Sequence, residues 1–185
     1  VLTMLEQWVG PADFRRGLVA YMKGQRLSNA TAADLWHYIG RASGKAVADV
    51  AASWTDQPGF PLVQVSSRCE AGEQRVTLAQ SRFSHGGPSG SAQRWKIPLR
   101  YARGQRGATL LLDGAQRTVA VGECSDVPVI VNAGGVGFYR VAYEADALAA
   151  LTRGFADLEQ ADRVALLSDA FALVQAGRLA LPSYL

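Results

Sequence analysis

Apolar side chains in roughly the first sixty residues recur at three- and four-residue spacing, which is the period of amphipathic helices. Pro11 suits a first helical turn, where its missing N–H costs no hydrogen bond. Thr31 and Asp34 have the capping-box arrangement, and Gly44 is a suitable end for the helix that they open. The pattern predicts four helices: residues 2–9, a second one from Pro11, a third from Thr31 to about Gly44, and residues 46–54.

The apolar period changes to two from Phe60 onwards, and short β-rich runs alternate with connections rich in glycine and serine. The Asp113-Gly114 pair predicts a tight hairpin between two of these runs. Residues 84–93 are polar and glycine-rich and predict a mobile loop. Seven short strands without intervening helices favour a compact antiparallel β-sandwich. The predicted strands are residues 61–66, 75–80, 94–101, 108–112, 116–121, 127–131 and 137–143.

The helical period returns after Glu144 and predicts helices at residues 145–155 and 161–176, with Gly177 as the stop. The fold class is therefore a helical segment, then an antiparallel β-sandwich of about seven strands, then α-helices. An apolar tail at residues 179–182 follows. One face of the last helix carries the apolar residues Val164, Leu167, Ala170, Phe171 and Val174.

Composition excludes several classes of protein. The 185 residues are 49% hydrophobic, as in ordinary globular proteins. The net charge is +3, but the 19 basic residues are scattered among 16 acidic ones, so nucleic acid is not an expected partner. There is no apolar run long enough for a membrane span and no signal-peptide pattern at the N-terminus. Because Val1 stands in place of methionine within a helical pattern, we expect a piece of a longer chain.

Two cysteines, Cys69 and Cys124, fall in predicted strand ends or loops. An isolated pair is compatible with a disulfide or with two buried thiols. The low cysteine usage favours thiols. The cellular compartment stays open on this evidence.

Candidate zinc ligands are sparse. A hydrolytic zinc site needs three converging ligands, commonly from H-E-x-x-H on a helix and an acid further along the chain. The only histidines are His37, on a predicted helix, and His85, in the glycine-rich loop. Neither has a partner at ligand spacing, so we assign His37 to helix packing and His85 to a solvated loop.

Other catalytic motifs are equally absent. Ser84 lies next to His85, but no G-x-S-x-G elbow accompanies them. The glycine-rich residues 134–137 lack the Lys-Ser/Thr of a phosphate-binding loop and precede a strand, so they predict a turn with positive φ.

Several conspicuous side chains are assigned structural roles. We expect Arg140 to form an ion pair at a contact between domains, and Asp162, Arg163 and Asp169 to provide charge at a helix start and surface pairing. Seven aromatic residues are assigned to core packing rather than to a ligand-binding stripe. They are Trp54, Phe60, Phe83, Trp95, Phe138, Tyr139 and Tyr143.

Six segments, in order along the chain, carry a resemblance to a known family. Asp34-Leu35-Trp36 resembles the family's D-L-W, and residues 54–61 resemble W-T-x-Q-x-G-(F/Y)-P. Residues 80–83 resemble Q-x-R-F, and residues 95–99 resemble W-x-(I/V)-P-(L/V). The remaining two are Asn132 with residues 137–143, similar to N-x-x-x-x-G-(F/Y)-Y-R-V-x-Y, and residues 162–170, similar to D-R-x-x-L-(L/I)-x-D-A. The chain thus resembles the aminopeptidase N-type (gluzincin) zinc aminopeptidases over nearly its whole length.

The resemblance implies an internal fragment. Residues 1–57 would be the end of the catalytic domain, 58–145 the β-sandwich domain, and 146–185 the start of the C-terminal helical domain. The family's zinc ligands, its G-x-M-E-N motif and its catalytic tyrosine would precede Val1. The resemblance therefore assigns no catalytic, substrate-binding or metal-binding residue to this chain. Zinc and a peptide substrate are implied for the parent enzyme only.

The expected role is therefore that of a scaffold, whose partners are the missing catalytic and helical domains. Faces that would meet those domains could also make the fragment self-associate. Two other hypotheses stay open: a stand-alone sandwich that serves as a binding module, and a piece of a catalytically dead family member.

Overall fold

The computed structural model describes residues 1–86, 90 and 92–183. The chain forms two compact units, Val1–Pro58 and Gly59–Leu185. Both predicted helical segments and the intervening seven strands are present, which confirms the predicted fold class. None of the helices within the described ranges has both the length and the apolar character that crossing a bilayer requires.

The first unit is a cluster of four helices. Their packing buries Val9, Phe14, Ile39 and Val47 in one apolar core. Burial of these side chains, at about 25 cal/mol per Å² of apolar surface, holds the short helices together. The helices are α1 Leu2–Val9, α2 Pro11–Gly24, α3 Ala32–Ser43 and α4 Val47–Thr55.

The third helix begins and ends at the predicted caps. The Thr31 hydroxyl accepts the Asp34 N–H, and the Asp34 carboxylate accepts the Thr31 N–H at 2.8 Å. Gly44 takes a left-handed conformation with φ of 68°, and its N–H donates to the Gly40 carbonyl. These local bonds satisfy the free backbone groups at each end of the helix.

The second unit contains two sheets with strand orders β5-β2-β1-β7 and β4-β3-β6. All pairings are antiparallel except β1 with β7, which is parallel. This exception departs from the purely antiparallel sandwich that the sequence predicts. The strands are β1 Pro61–Glu70, β2 Glu73–Arg82, β3 Ile97–Arg103, β4 Arg106–Leu112, β5 Gln116–Glu123, β6 Val129–Val131 and β7 Arg140–Tyr143.

The Asp113-Gly114 hairpin prediction is wrong, because β4 and β5 belong to different sheets and the turn carries the chain from one sheet to the other. Buried Gln80 lies beside this crossing. Its amide donates to the Gly114 carbonyl at 2.7 Å and to the Trp95 carbonyl at 2.8 Å, and its Oε1 accepts the Trp95 N–H. These non-local bonds are invisible in the local turn sequence. Part of the predicted loop 84–93 lies outside the described residues.

Helices α5 Ala145–Arg153 and α6 Gln160–Gln175 follow the strands, with short 3-10 helices at Phe155–Asp157 and Leu181–Ser183. The apolar face predicted for α6 is buried only in part: Ala170 is buried, whereas Val164, Leu167 and Phe171 are each 45% or more exposed. The buried face packs on Leu62 and Phe83. Its buried residues are Asp162, Asp169, Ala170, Ala172 and Leu173.

Candidate functional site

Asn132 closes a six-residue loop directly after β6. Its φ is 65°, a left-handed conformation that asparagine tolerates better than most side chains. Its Oδ1 accepts the Gly137 N–H at 2.7 Å, and its Nδ2 donates to the Gly137 carbonyl at 3.4 Å. One side chain therefore fixes both ends of the loop.

The glycines of this loop allow close approach to α6. Gly134 and Gly135 have φ of 85° and 66°, which confirms the predicted positive-φ turn. A Cβ on Gly135 would lie 3.4 Å from both the Ala161 carbonyl and the Ala165 Cβ. The glycines thus allow the loop between β6 and β7 to pack closely against α6.

Two carboxylates on α6 hold the segment that runs from this loop into β7. Asp162 Oδ1 accepts the Gly134 N–H at 2.6 Å, and Asp169 Oδ2 accepts the Val141 N–H at 3.1 Å. Arg140 Nη1 donates to Asp169 Oδ1 at 3.1 Å. We call these five residues the α6 latch.

The expectation that Arg140 forms an ion pair is confirmed, and Asp162 lies in the first turn of α6, as predicted for a charge at a helix start. The predicted surface location of Asp162 and Asp169 is wrong. Both carboxylates are buried, at 9% and 6% exposed. Burial is tolerated because each accepts a backbone N–H that would otherwise lack a partner. The seven-residue spacing on one helix could have suggested a shared face, but the apolar residues on α6 obscured it.

Burial dominates the electrostatics of Asp169 and raises the pKa of its carboxyl from 3.8 to about 6. The Arg140 guanidinium and the Val141 N–H act in the opposite direction by favouring the charged form. Near neutral pH Asp169 is thus charged at a cost, and it stabilises the latch through specific hydrogen bonds.

Tyr143 joins β7 to β6 beside the latch. Its hydroxyl accepts the Val131 N–H at 2.8 Å and donates to the Val131 carbonyl at 3.2 Å. Burial raises the pKa of the Tyr143 and Tyr139 hydroxyls well above the ordinary value of 10. Both stay neutral at physiological pH and serve as packed hydrogen-bonding groups.

A cleft of about 640 Å³ opens beside the latch, with Ser168, Arg140 and Glu159 on its wall. The Ser168 hydroxyl accepts from Arg140 Nη1 at 2.8 Å, and a guanidinium is a donor that cannot act as a general base. The contacts described for this cleft provide hydrogen-bonding groups, but they do not pair the Ser168 hydroxyl with a base.

The described residues do not fit the zinc ion that the resemblance implies for the parent. Over residues 1–86, 90 and 92–183, no three histidine, cysteine, aspartate or glutamate side chains are grouped to hold a metal ion. His37 is exposed on α3 with its ring edge-on to Tyr38, and His85 is exposed with its ring edge-on to Phe83.

The aromatic residues mostly fulfil the predicted packing role. Trp54, Phe83, Trp95 and Tyr139 are buried, whereas Phe138 is 53% exposed. Phe138 lies 5.6 Å, between ring centroids, from Phe60, which stacks on Phe83 at 5.3 Å.

The thiol interpretation of the cysteine pair is wrong. Cys69 and Cys124 form a disulfide that joins the end of β1 to the segment after β5. The Cys124 N–H donates to the Gly72 carbonyl, which brings the two segments together. Low cysteine usage says nothing about which cysteines the fold places side by side.

Comparisons with known proteins agree with this architecture at both ends of the chain. The family model "Peptidase family M1 domain" matches residues 1–54, and the model "ERAP1-like C-terminal domain" matches residues 128–185. The second match contains the α6 latch. The chain belongs to the M1 peptidase family, the aminopeptidase N-type group.

Relatives of this M1 chain cover it almost completely. A leucyl aminopeptidase of Saccharolobus solfataricus is 34% identical over 100% of the chain, and a tricorn protease-interacting factor F2 of Thermoplasma acidophilum is 31% identical over 100%. A glutamyl aminopeptidase of Bitis rhinoceros is 32% identical over 97%. The chain spans only 20–22% of the length of these relatives.

Proposed function

We propose that this M1 chain is a non-catalytic scaffold segment of a zinc-dependent aminopeptidase that removes N-terminal amino acids from peptides. Its role is to hold the start of a helical domain against a β-sandwich. The α6 latch is the observation that carries the proposal. Its buried polar groups bond to each other and to backbone, which is the arrangement of a structural joint.

The proposed domain assignment follows the sequence boundaries. Residues 1–57 end the catalytic domain, 58–145 form the sandwich domain, and 146–185 begin the helical domain. The exposed α6 residues Val164, Leu167 and Phe171 support this assignment, because an apolar stripe on a helix is ordinarily covered. We propose that the remainder of the helical domain packs on this stripe. The catalytic domain is the other proposed partner of the chain. Self-association of the isolated chain through this stripe is a further prediction.

The proposal is tested first on the isolated chain. We expect no stoichiometric zinc by elemental analysis and no amino acid released from aminoacyl-arylamides. Turnover by the purified chain that a chelator abolishes would overturn the scaffold role.

The second test uses the longer protein that contains this segment. Asp162→Asn with Asp169→Asn should lower its thermal stability while leaving its zinc content unchanged. If the double variant instead loses zinc at unchanged stability, the segment acts on the metal site and the scaffold proposal fails. A parent that binds no zinc and has no peptidase activity would identify a catalytically dead family member.

A further inference from the structure

A second cleft, of about 710 Å³, lies near the start of α6 and shares only Asp162 with the latch. Four apolar residues line it, and together they are called its apolar floor: Val127, Pro128, Ile130 and Leu158. Val127 is 49% exposed, although its neighbour Val129 is buried. An apolar floor open to solvent is typical of a surface that binds a partner.

The rim of this cleft is acidic. Asp126, Asp157 and Glu159 line it and are exposed, and the one basic residue on the rim is Arg153. Within the described part of the chain, none of these three carboxylates forms an ion pair. The rim therefore carries an excess of negative charge on a chain whose net charge is +3. We call these four side chains and the floor the acidic groove.

We propose that the acidic groove binds an extended cationic peptide segment that carries lysine or arginine side chains alternating with apolar ones. Charge complementarity selects the occupant: three unpaired carboxylates at the rim attract basic side chains, and the floor removes apolar side chains from water. An acidic partner would be repelled by the rim. The groove is thus an interaction surface in addition to the scaffold role.

Fluorescence anisotropy tests this binding with a fluorescein-labelled octapeptide of alternating lysine and leucine. We expect saturable binding at low salt that weakens as salt is raised, because exposed charges are screened over about 10 Å at 0.1 M. A charge-reversed peptide of alternating glutamate and leucine should not bind. Absence of binding by the lysine peptide at low salt would overturn the proposal.

Matched variants separate the groove from general charge attraction. Asp126→Asn, Asp157→Asn and Glu159→Gln combined should weaken binding about tenfold, as expected for three exposed charge pairs. The control Asp113→Asn, Glu123→Gln and Asp146→Asn changes net charge equally at exposed positions outside the groove and should bind as the wild type does. Equal weakening by both triple variants would overturn the proposal.

The apolar floor is tested separately by Val127→Asn, an exposed position where the fold should tolerate the change. This variant should weaken binding of the lysine-leucine peptide but not the weaker binding of a lysine-serine peptide. If light scattering shows that the groove variants abolish a dimer of the wild type, the occupant is a second copy of this chain and the proposal is wrong. Failure of this test would leave the zinc and activity tests of the scaffold role unaffected.

Discussion

Asp162 and Asp169 lie seven residues apart on α6; Asp162 accepts a backbone N–H from the loop after β6, and Asp169 accepts one from β7. Gly134, bonded to Asp162, and Val141, bonded to Asp169, are also seven residues apart. Two turns of helix thus span the same distance as a folded loop and the first residues of a strand. This match explains how one helix holds both ends of the segment through hydrogen bonds, in addition to the apolar packing of Ala172 and Leu173 near Ala142 of β7.

Removal of Asp169 should be strongly destabilising. Asp169→Ala leaves the buried Val141 N–H without its acceptor and the half-buried Arg140 guanidinium without its carboxylate partner, so we expect a loss of about 2–4 kcal/mol in the free energy of unfolding. Urea denaturation measures it. The matched variant Ser168→Ala removes only the other acceptor of Arg140 and should cost about 1 kcal/mol or less. Equal losses for the two variants would contradict the role given to the Val141 bond.

The latch illustrates what sequence could and could not predict. The positive charge of Arg140 indicates an ion pair. Its partner, Asp169, is 29 residues away, and the sequence gives no sign that this carboxylate is buried. On α6 the apolar residues Val164 and Phe171 indicated the wrong buried face. A helix pattern gives the relative positions of faces, whereas which face is buried depends on what packs against it.

Local signals predicted the secondary structure more successfully than the connections. Thr31 with Asp34 and Gly44 fixed the ends of α3 because cap bonds involve residues within one turn. The same logic failed at Gly114, where bonds from Gln80, 34 residues away, hold a crossing between sheets. The Cys69–Cys124 bond, with a separation of 55 residues, was missed for the same reason.

Stability should depend on pH through Asp169. Its pKa is higher in the folded chain, at about 6, than the ordinary 3.8, so the folded state binds more protons between these values. This contribution to stability is complete below about pH 4 and is lost as pH rises through 6. Relative to Asp169→Asn, the wild type should lose about 1 kcal/mol between pH 5 and 7.5 in urea denaturation. Parallel pH profiles for the two proteins would contradict it.

Gly137 should not tolerate a side chain. A Cβ there would lie 2.2 Å from Tyr139 Cε1 and 2.7 Å from Asn132 Oδ1, and Tyr139 is buried and cannot move freely. We expect Gly137→Ala to lower the free energy of unfolding by about 2 kcal/mol or more. Gly86→Ala, where the added Cβ meets nothing within 4 Å, is the control and should change it by less than about 0.5 kcal/mol. If Gly137→Ala costs no more stability than Gly86→Ala, the loop at Gly137 is not tightly packed.

The disulfide should stabilise the second unit by restricting its unfolded chain. Cys69 and Cys124 close a loop with a separation of 55 residues, for which loop-closure entropy gives about 4 kcal/mol as an upper value. Cys69→Ser with Cys124→Ser should therefore lower the urea midpoint of the transition that reports on the sandwich. A reducing agent should lower the wild-type midpoint to that of the double variant and leave the variant unchanged. If the reductant shifts both proteins equally, the stabilisation does not come from this bond.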